Sequence, residues 1–542
     1  MGASFKSPLA QLAAGIVAAS LYPGIYFMAN NWFVYTRAQI LFFIFAIPFF
    51  LLAVSIGLYG LGHVLYIKYS EQDLNQLHKT LSAVCYTFCT ACVALLFHRS
   101  TVDVVGSLSF ALVLEAFFLA AVFCTIFFSG TRYVNIFFYS LVAISLISWG
   151  TNYLQADNFE NPTHASSHQQ PIPQIEFKTT PNIYFILLES CHNKRALRDI
   201  YAYDNTPFEA SLAAKGFTVF DDFFSNYTTT LTSLEATMSM QHHYYSGSIG
   251  NCDSRNARDV IGGRSYNPVL KTLKHNRYYI QYVLNSNYCF FSSDLLDYAT
   301  VQRTGEIGRA FELYRKTFLN DLFNIKSVTQ FDDFKNIIKP RIDFAARLKQ
   351  PVFTFIKLGA NHSPATWRGL PASQQRQAQQ QWDQDAWKHL AYWIDRYPHI
   401  LQKSDAELLE LVDYILLQDH AACIVLLGDH GAHRFRNIIN NDQEPNAYLR
   451  KVGVDGKLVA EDMLGVFLGI RLPRGMKMKT IPKSSINLFR ALFFTLSDDR
   501  RLLDFAQDDS YISRSNGDVF TVISNGMPLE EWRLLSSMPQ GR

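Results

Sequence analysis

Charge is what this chain of 542 residues has least of. Only 18% of its residues are Asp, Glu, Lys or Arg, where a soluble protein carries about a quarter, while 49% are hydrophobic and 14% aromatic. The apolar excess sits in the first 150 residues, which excludes an ordinary soluble domain there. Formal net charge is +3, and no basic stripe interleaved with aromatics occurs in the later chain, so nothing points to a nucleic-acid partner. No internal repeat is present. A cleavable signal pattern is also missing, and Lys6 with the first apolar run reads as a retained anchor. Between Arg132 and Lys178 there is no Lys or Arg at all, and a stretch without cations is easy to translocate.

What is present at the N-terminus is a series of apolar runs at about 9–29, 40–67, 81–97, 104–129 and 133–150. A helix needs roughly 20 apolar residues to cross a bilayer, so these predict about five spans, the third and fifth being the shortest. With the N-terminus inside, the inner segments hold Lys6, Lys68, Lys79 and Arg132 and the outer loops Arg37 and Arg99, which places everything after residue 150 outside. Glu115 falls within the fourth span and reads equally as a functional acid or as one facing the bundle interior.

The predicted organisation is a membrane anchor over 1–150, a polar linker with three prolines over 151–178, a catalytic domain over 179–525 and a C-terminal tail over 526–542. In the third segment apolar strand-like runs alternate with helical patterns such as "PFEASLAAKG" and "NPVLKTLKHN", which implies βαβ units and a mostly parallel sheet. Residues 368–420 read as a helical insertion or acceptor-side lid.

Three of the strand-like runs stop on chemically useful residues: "NIYFILLES" at Glu189, "VFTFIKLGANHSP" at His362, and "ACIVLLGDHGAHR" at Asp429 and His430. Between the first two lies the hydroxyl-rich "SNYTTTLTSLEATMSM". Ligands of open α/β sheets bind beyond the carboxyl ends of the strands, so a carboxylate, a hydroxyl, a histidine and an Asp-His pair come to one edge. A threonine hydroxyl needs a base or a metal to become a nucleophile. Glu189, Asp429 and His430 supply three ligands of a type that zinc accepts, with the nucleophile as the fourth. Gly428 and Gly431 give the backbone between them freedom to turn. Each piece alone has an ordinary structural reading; in this order behind a membrane anchor they are specific.

Of eight cysteines, Cys85, Cys89, Cys92 and Cys124 read as small packing residues of the membrane part. In the outer part Cys191, Cys252, Cys289 and Cys423 remain; Cys252 and Cys289 sit in turn-like contexts and would pair first, while Cys423 reads as a buried thiol. Asn226 heads a formal glycosylation sequon that coincides with the expected site. His242, His243 and Arg255 read as loop residues, with phosphate or glycan binding as the alternative.

These motifs resemble the membrane-anchored branch of the sulfatase and alkaline-phosphatase-like superfamily, and more closely the bacterial phosphoethanolamine and phosphoglycerol transferases, which include lipid A phosphoethanolamine transferases and lipoteichoic acid synthases. The matching pieces are "PNIYFILLES", "TPFEASLAAKGFTVFDDFFSNYTTTLTS", "KLGANHSP" and "LLGDHG". The resemblance implies an α-helical membrane domain followed by an α/β sulfatase/alkaline-phosphatase-like domain with a mostly parallel sheet. It implies Glu189, Asp429 and His430 as ligands of a divalent metal, with Zn2+ ahead of Mn2+, and His362 as the residue that contacts the phosphoryl or leaving group. Its nucleophilic Thr precedes a Ser by three residues, which fits Thr230 with Ser233; Thr232 fits a simpler Thr-Ser version. The implied reaction moves a phospholipid headgroup phosphate through a phospho-threonine, from phosphatidylethanolamine or phosphatidylglycerol to lipopolysaccharide or another envelope glycan. Phosphoethanolamine stands ahead of phosphoglycerol. The implied location is the bacterial inner membrane, multi-pass, with the catalytic domain in the periplasm. Leu188 stands where lipid A enzymes usually carry Gly, and the cysteines are few, which puts a core sugar or capsule on an equal footing as acceptor. The alternatives are a membrane-bound phosphodiesterase or sulfatase-like hydrolase and a catalytically dead envelope scaffold. No Cys/Ser-x-Pro-x-Arg motif of sulfate ester hydrolases occurs near residues 225–240.

Overall fold

A computed structural model of the chain describes residues 8–31, 53–61, 64, 76–77, 79–91, 108–129, 131–158, 172–242, 254–285, 289–290, 293–301, 331–358, 386–432, 435, 444–504, 506, 508–514 and 518–535. The chain divides into two compact units, one holding the described residues up to Asn158 and the other those from residue 172 onward.

The first unit is helical. Pro8–Asn31, Leu108–Ser129 and Arg132–Asn158 are helices, with further helical stretches at 53–61 and 79–91, so each expected span contains a helix. Among the described residues one helical stretch, Arg132–Thr151, is long and apolar enough to cross a membrane. Leu12, Ile16, Ala83, Cys89, Ile126 and Phe138 form the interior. Phe117, Phe128 and Ile147 point outward, 73%, 76% and 66% exposed, so these helices are apolar on both faces. Cys124 is exposed, unlike the buried Cys85 and Cys89, and Cys92 lies outside the described residues. Glu115 falls in the helix Leu108–Ser129. The last helix runs on to Asn158, into the expected linker, because the first proline after residue 150 is Pro162.

In the second unit a seven-stranded sheet has the order β2-β7-β6-β1-β5-β3-β4. Its strands are β1 Ile183–Leu188, β2 Phe217–Phe220, β3 Tyr279–Leu284, β4 Tyr298–Val301, β5 Val352–Leu358, β6 Cys423–Gly428 and β7 Leu468–Arg471. β1, β3, β4, β5 and β6 are mutually parallel, and β7 runs antiparallel to β6 and β2. Every residue of β1, β5 and β6 is buried, as continuous apolar runs require of central parallel strands covered on both faces. One face carries Phe185, Leu187, Phe353 and Val425 against the helices Thr230–Ser239, Pro268–His275 and Leu488–Ser497. The other carries Tyr184, Ile186, Ile356 and Leu426 against the helices Lys194–Tyr201, Phe331–Arg347 and Ala386–Gln418.

The helix Ala386–Gln418 therefore corrects the reading of a lid. Its Tyr397, Leu401, Leu408, Val412 and Ile415 are core residues of that second face; residues 368–385 lie outside the described residues. The expected tail also differs: Met527–Leu534 is a strand, β10, which pairs with β9 (Val519–Ser524) in a small antiparallel sheet completed by β8 (Ser510–Ser513). Trp532 of β10 is buried and anchors it.

What matters for the site is register. Leu188 of β1 pairs with Leu358 of β5 on one side and with Gly428 of β6 on the other, so the three central strands end level.

Candidate active site

Glu189 and Asp429 are the first residues past those level ends. The Glu189 N–H donates to the Leu358 carbonyl at 3.3 Å and the Asp429 N–H to the Leu188 carbonyl at 3.2 Å, which continues the ladder by one step. The chain then turns at once. Ser190 adopts φ 55°, a left-handed conformation costly for a residue with a Cβ. Its N–H donates to Asp429 Oδ1 at 2.9 Å, and the His430 N–H donates to the same oxygen at 2.8 Å. One oxygen of Asp429 thus ties the two loops together.

The other oxygen, Oδ2, is buried without a hydrogen-bond partner and lies 3.5 Å from His430 Nε2. His430 Nδ1 donates to the Gly431 carbonyl at 2.7 Å, which leaves Nε2 as the nitrogen with a lone pair. That nitrogen is 3.2 Å from Thr230 Oγ1.

Thr230 is the first residue of the helix Thr230–Ser239. Thr229 caps this helix in an extended conformation, its Oγ1 accepting from the Thr232 N–H at 3.4 Å. Thr232 Oγ1 donates to the Thr229 carbonyl at 3.1 Å and lies 2.8 Å from Thr229 Oγ1, so its hydroxyl belongs to the cap. The buried Ser225–Ser233 hydroxyl pair, 2.8 Å apart, braces the turn below. Thr230 itself is buried and faces the Asp-His pair.

The two glycines are needed for a different reason from the one expected. Neither Gly428 nor Gly431 has a left-handed backbone; a Cβ at Gly428 would overlap the Cys191 carbonyl oxygen and one at Gly431 the Asp462 carbonyl oxygen. Close packing of backbones, not turning, excludes a side chain there.

Glu189 is engaged by a residue that sequence reasoning did not single out. Lys357 of β5 has a side chain only 3% exposed, and its ammonium lies 2.7 Å from Glu189 Oε2. Burial pulls its pKa down, but Glu189, Cys289 and Asp429 outweigh that and raise it above the usual lysine range. A lone Lys inside the otherwise apolar "VFTFIKL" was the available signal. A second group the sequence missed supports the Ser190 turn. The Tyr397 hydroxyl donates to the Ser190 carbonyl at 2.7 Å and lies 2.9 Å from His192 Nδ1, while His192 Nε2 lies 2.9 Å from the Asp462 carbonyl. The Tyr201 hydroxyl donates to Asp462 Oδ1 at 2.9 Å.

The residues suit a divalent cation. An unpartnered buried carboxylate oxygen is costly, and Asp429 Oδ2, the His430 Nε2 lone pair and Thr230 Oγ1 gather at one point, with Glu189 one strand away. Among the described residues no group of three or more His, Cys, Asp or Glu is already spaced for a metal, and Glu189 is paired with Lys357.

Other expectations resolve individually. His362 and His243 lie outside the described residues, as does Cys252. Cys289 is a free buried thiol rather than half of a Cys252 pair, and burial pushes it up to about 12. Cys423 is buried in β6 as expected. Asn226 is fully buried, donating to the Asp509 carbonyl and accepting from the Ile486 N–H, so the sequon is not a surface site. His242 is not a loop residue on the surface: it is buried, with Nδ1 3.1 Å from the Tyr227 hydroxyl and its ring edge-on to Tyr511.

The sulfatase family model matches residues 181–456, a span that contains Glu189, Thr230, Lys357, Asp429 and His430. No curated protein matches the chain. The solved structures it is similar to include three from bacteria. The C-terminal periplasmic domain of EptC from Escherichia coli is 12% identical, with a TM-score of 0.40, covering 68% of this chain and 98% of its own. The integral membrane protein lipooligosaccharide phosphoethanolamine transferase A from Neisseria meningitidis is 12% identical, with a TM-score of 0.38, covering 90% and 95%. The lipoteichoic acid synthase LtaP from Listeria monocytogenes is 14% identical, with a TM-score of 0.35, covering 64% and 82%. Likenesses this distant fix neither a substrate nor the role of any residue.

Proposed function

The chain belongs to the sulfatase family, and from that premise we propose that it is a membrane-anchored phosphotransferase that moves a phospholipid headgroup phosphate through a phosphorylated Thr230. The observation that carries this reading is the 3.2 Å contact between Thr230 Oγ1 and His430 Nε2, beside the unpartnered oxygen of Asp429. It favours Thr230 over Thr232, whose hydroxyl is used in the helix cap.

Thr230 Oγ1 gives up its proton to solvent water and attacks the phosphorus of phosphatidylethanolamine, or of phosphatidylglycerol as the second choice. The bond from phosphorus to the diacylglycerol oxygen breaks, and diacylglycerol leaves with a proton supplied by His362. The headgroup phosphate stays on Thr230 until a hydroxyl or phosphate of lipopolysaccharide or another envelope glycan attacks the phosphorus; the bond from phosphorus to Thr230 Oγ1 then breaks, and a proton returns to that oxygen as the acceptor gives up its own. His430 Nε2 stands 3.2 Å from the hydroxyl, and its lone pair is the one a divalent ion beside Thr230 Oγ1 would take, while the N-terminus of the helix Thr230–Ser239 is a place that favours phosphoryl oxygens. A divalent ion, zinc ahead of manganese, held by Glu189, Asp429 and His430 would lower the pKa of the threonine hydroxyl and offset charge on the phosphoryl oxygens. The anchor of about five spans over residues 1–150, with the catalytic unit in the periplasm, keeps this chemistry where a lipid donor is concentrated.

The test is the intact mass of the purified full chain after incubation with mixed phosphatidylethanolamine and phosphatidylglycerol, beside Thr230→Ala. An adduct on the wild type alone is expected, and its mass names the group moved. An adduct that persists in Thr230→Ala transfers the role to Thr232. Diacylglycerol release without any adduct replaces the transferase by a phosphodiesterase that uses water as acceptor.

A further inference from the structure

Residues 472–497 include no acid and five cations, Arg474, Lys477, Lys479, Lys483 and Arg490. Arg490 is buried, and its guanidinium donates to the carbonyls of Met240 and Leu502. The other four are exposed. Over 476–483 exposure alternates from one residue to the next, as in an extended segment laid along the core. Met476 and Met478 pack against the core and Pro482 is buried, while Lys477, Lys479, Ile481 and Lys483 form an outward row. Lys479 shares Asp498 with Lys178, two cations on one carboxylate. Among the described residues no ion pair reaches Arg474, Lys477 or Lys483. Ile481 stands within this row, 69% exposed. The Gly526 backbone lies so close to Lys483 that a Cβ there would be 2.7 Å from Lys483 Cδ, which brings its neighbour Met527, 65% exposed, to the same place. Apolar side chains held out in water among cations are the pattern of a surface that meets lipid headgroups.

We infer that this row, with Arg474 and Met527, is the face by which the catalytic unit rests on an anionic lipid surface. The cations lie against lipid phosphates, and Ile481 and Met527 enter the headgroup layer. The inference goes beyond the proposed reaction, which says nothing of how this unit meets a bilayer. Two observations place the row well for it. The chain enters the unit from the apolar helical stretch Arg132–Thr151 through residues 172–178, and Lys178 is held to the row by Asp498. The Lys483 carbonyl accepts from the Phe224 N–H at 3.0 Å, and the Ile486 N–H donates to Asn226 Oδ1 at 2.8 Å, so the end of the row is fastened to the segment that runs directly into Thr230. A basic segment gains from each cation near anionic headgroups, and salt removes that gain. A phosphorylated glycan is the other polyanion such a row could take, but it offers nothing apolar to cover Ile481 and Met527.

The experiment follows backbone hydrogen exchange of the full-length protein in nanodiscs of phosphatidylcholine alone and of phosphatidylcholine with phosphatidylserine, so that no donor of the proposed reaction is present. Peptides covering 472–484 and 525–527 are expected to exchange several-fold more slowly in the anionic discs, and those covering 416–421, where Leu417 is equally exposed, at the same rate in both. High salt and Lys477→Glu/Lys483→Glu should each abolish the difference. Equal exchange of 472–484 in the two discs overturns the inference, as does a slowing that salt leaves unchanged. A slowing that appears only when a phosphorylated oligosaccharide is added to neutral discs assigns the row to a glycan and overturns it too. Should the double variant fail to fold, the salt series on the wild type still decides. Protection of the row without a Thr230 adduct in the mass test would sink the proposed reaction and leave this face standing; an adduct without protection would do the reverse.

Discussion

Tyr397→Phe removes one oxygen and changes almost nothing else, so it isolates what the buried network behind the site contributes. That hydroxyl donates to the Ser190 carbonyl at 2.7 Å, lies 2.9 Å from His192 Nδ1 and accepts from the His192 N–H at 3.3 Å. Ser190, His192 and Tyr397 are all buried, so water cannot take over. Leaving a buried polar group unpaired costs roughly 1–3 kcal/mol. With the Ser190 carbonyl and His192 Nδ1 as the two groups that lose a good partner, the expected loss is about 2–6 kcal/mol of stability; the long N–H contact adds little. The effect should reach function as well, because the Ser190 carbonyl is one of the contacts that hold its left-handed backbone, and that turn presents Glu189. The assay is thermal unfolding of the full chain, followed by formation of the Thr230 adduct. A midpoint drop on the order of 5 °C or more with slower adduct formation is expected. A variant that melts with the wild type would refute the claim that this hydroxyl braces the turn.

Two further outcomes are expected. Burial pushes the Asp405 carboxyl up to about 7, with the Asn205 side chain pulling it back and Glu209 adding to the rise. Because the folded value lies above the unfolded one, this group stabilises fully below its ordinary range near 3.8 and loses that contribution as pH rises through about 7; Asp405→Asn should therefore be more stable than wild type at pH 8, by on the order of 4 kcal/mol, and no more stable at pH 4. Gly431→Ala forces a methyl against the Asp462 carbonyl oxygen, and since backbone yields less than a side chain, a cost of about 3 kcal/mol and loss of the adduct are expected through displacement of His430.

The parts of this fold written in local sequence were legible. "NIYFILL", "VFTFIKL" and "CIVLLG" are continuous apolar runs and became the three central strands. The residues at their ends, Glu189, Asp429 and His430, came to one edge because parallel strands in register must end together, and Thr230 joined them from a helix start rich in capping threonines. What stayed hidden depends on neighbours remote in sequence. Lys357 has meaning only beside Glu189, 168 residues away, and Tyr397 only beside Ser190, 207 residues away. β10, "MPLEEWRL", is charged and half exposed because it lies at the edge of a small sheet, so it carries no buried-strand pattern to read. The helix Ala386–Gln418 looked like a lid because its polar residues dominate the local composition, while the stripe that packs on the sheet is spread along 33 residues.

The level ends of β1, β5 and β6 also bear on when the protein can begin to act. Asp429 Oδ1 fastens a loop 239 residues earlier in the chain, and no local segment contains more than one arm of the centre. Parallel pairing between such distant segments must wait for long loops to close, which makes it slow. A nascent chain whose synthesis has not passed β6 holds Glu189, Thr230 and Lys357 but lacks the strand that would bring Asp429 and His430 to them. On the function proposed above, the order of residues along the chain acts as a safety catch: the last piece of the centre to be made is the one that completes it, and a product truncated before β6 lacks Asp429 and His430.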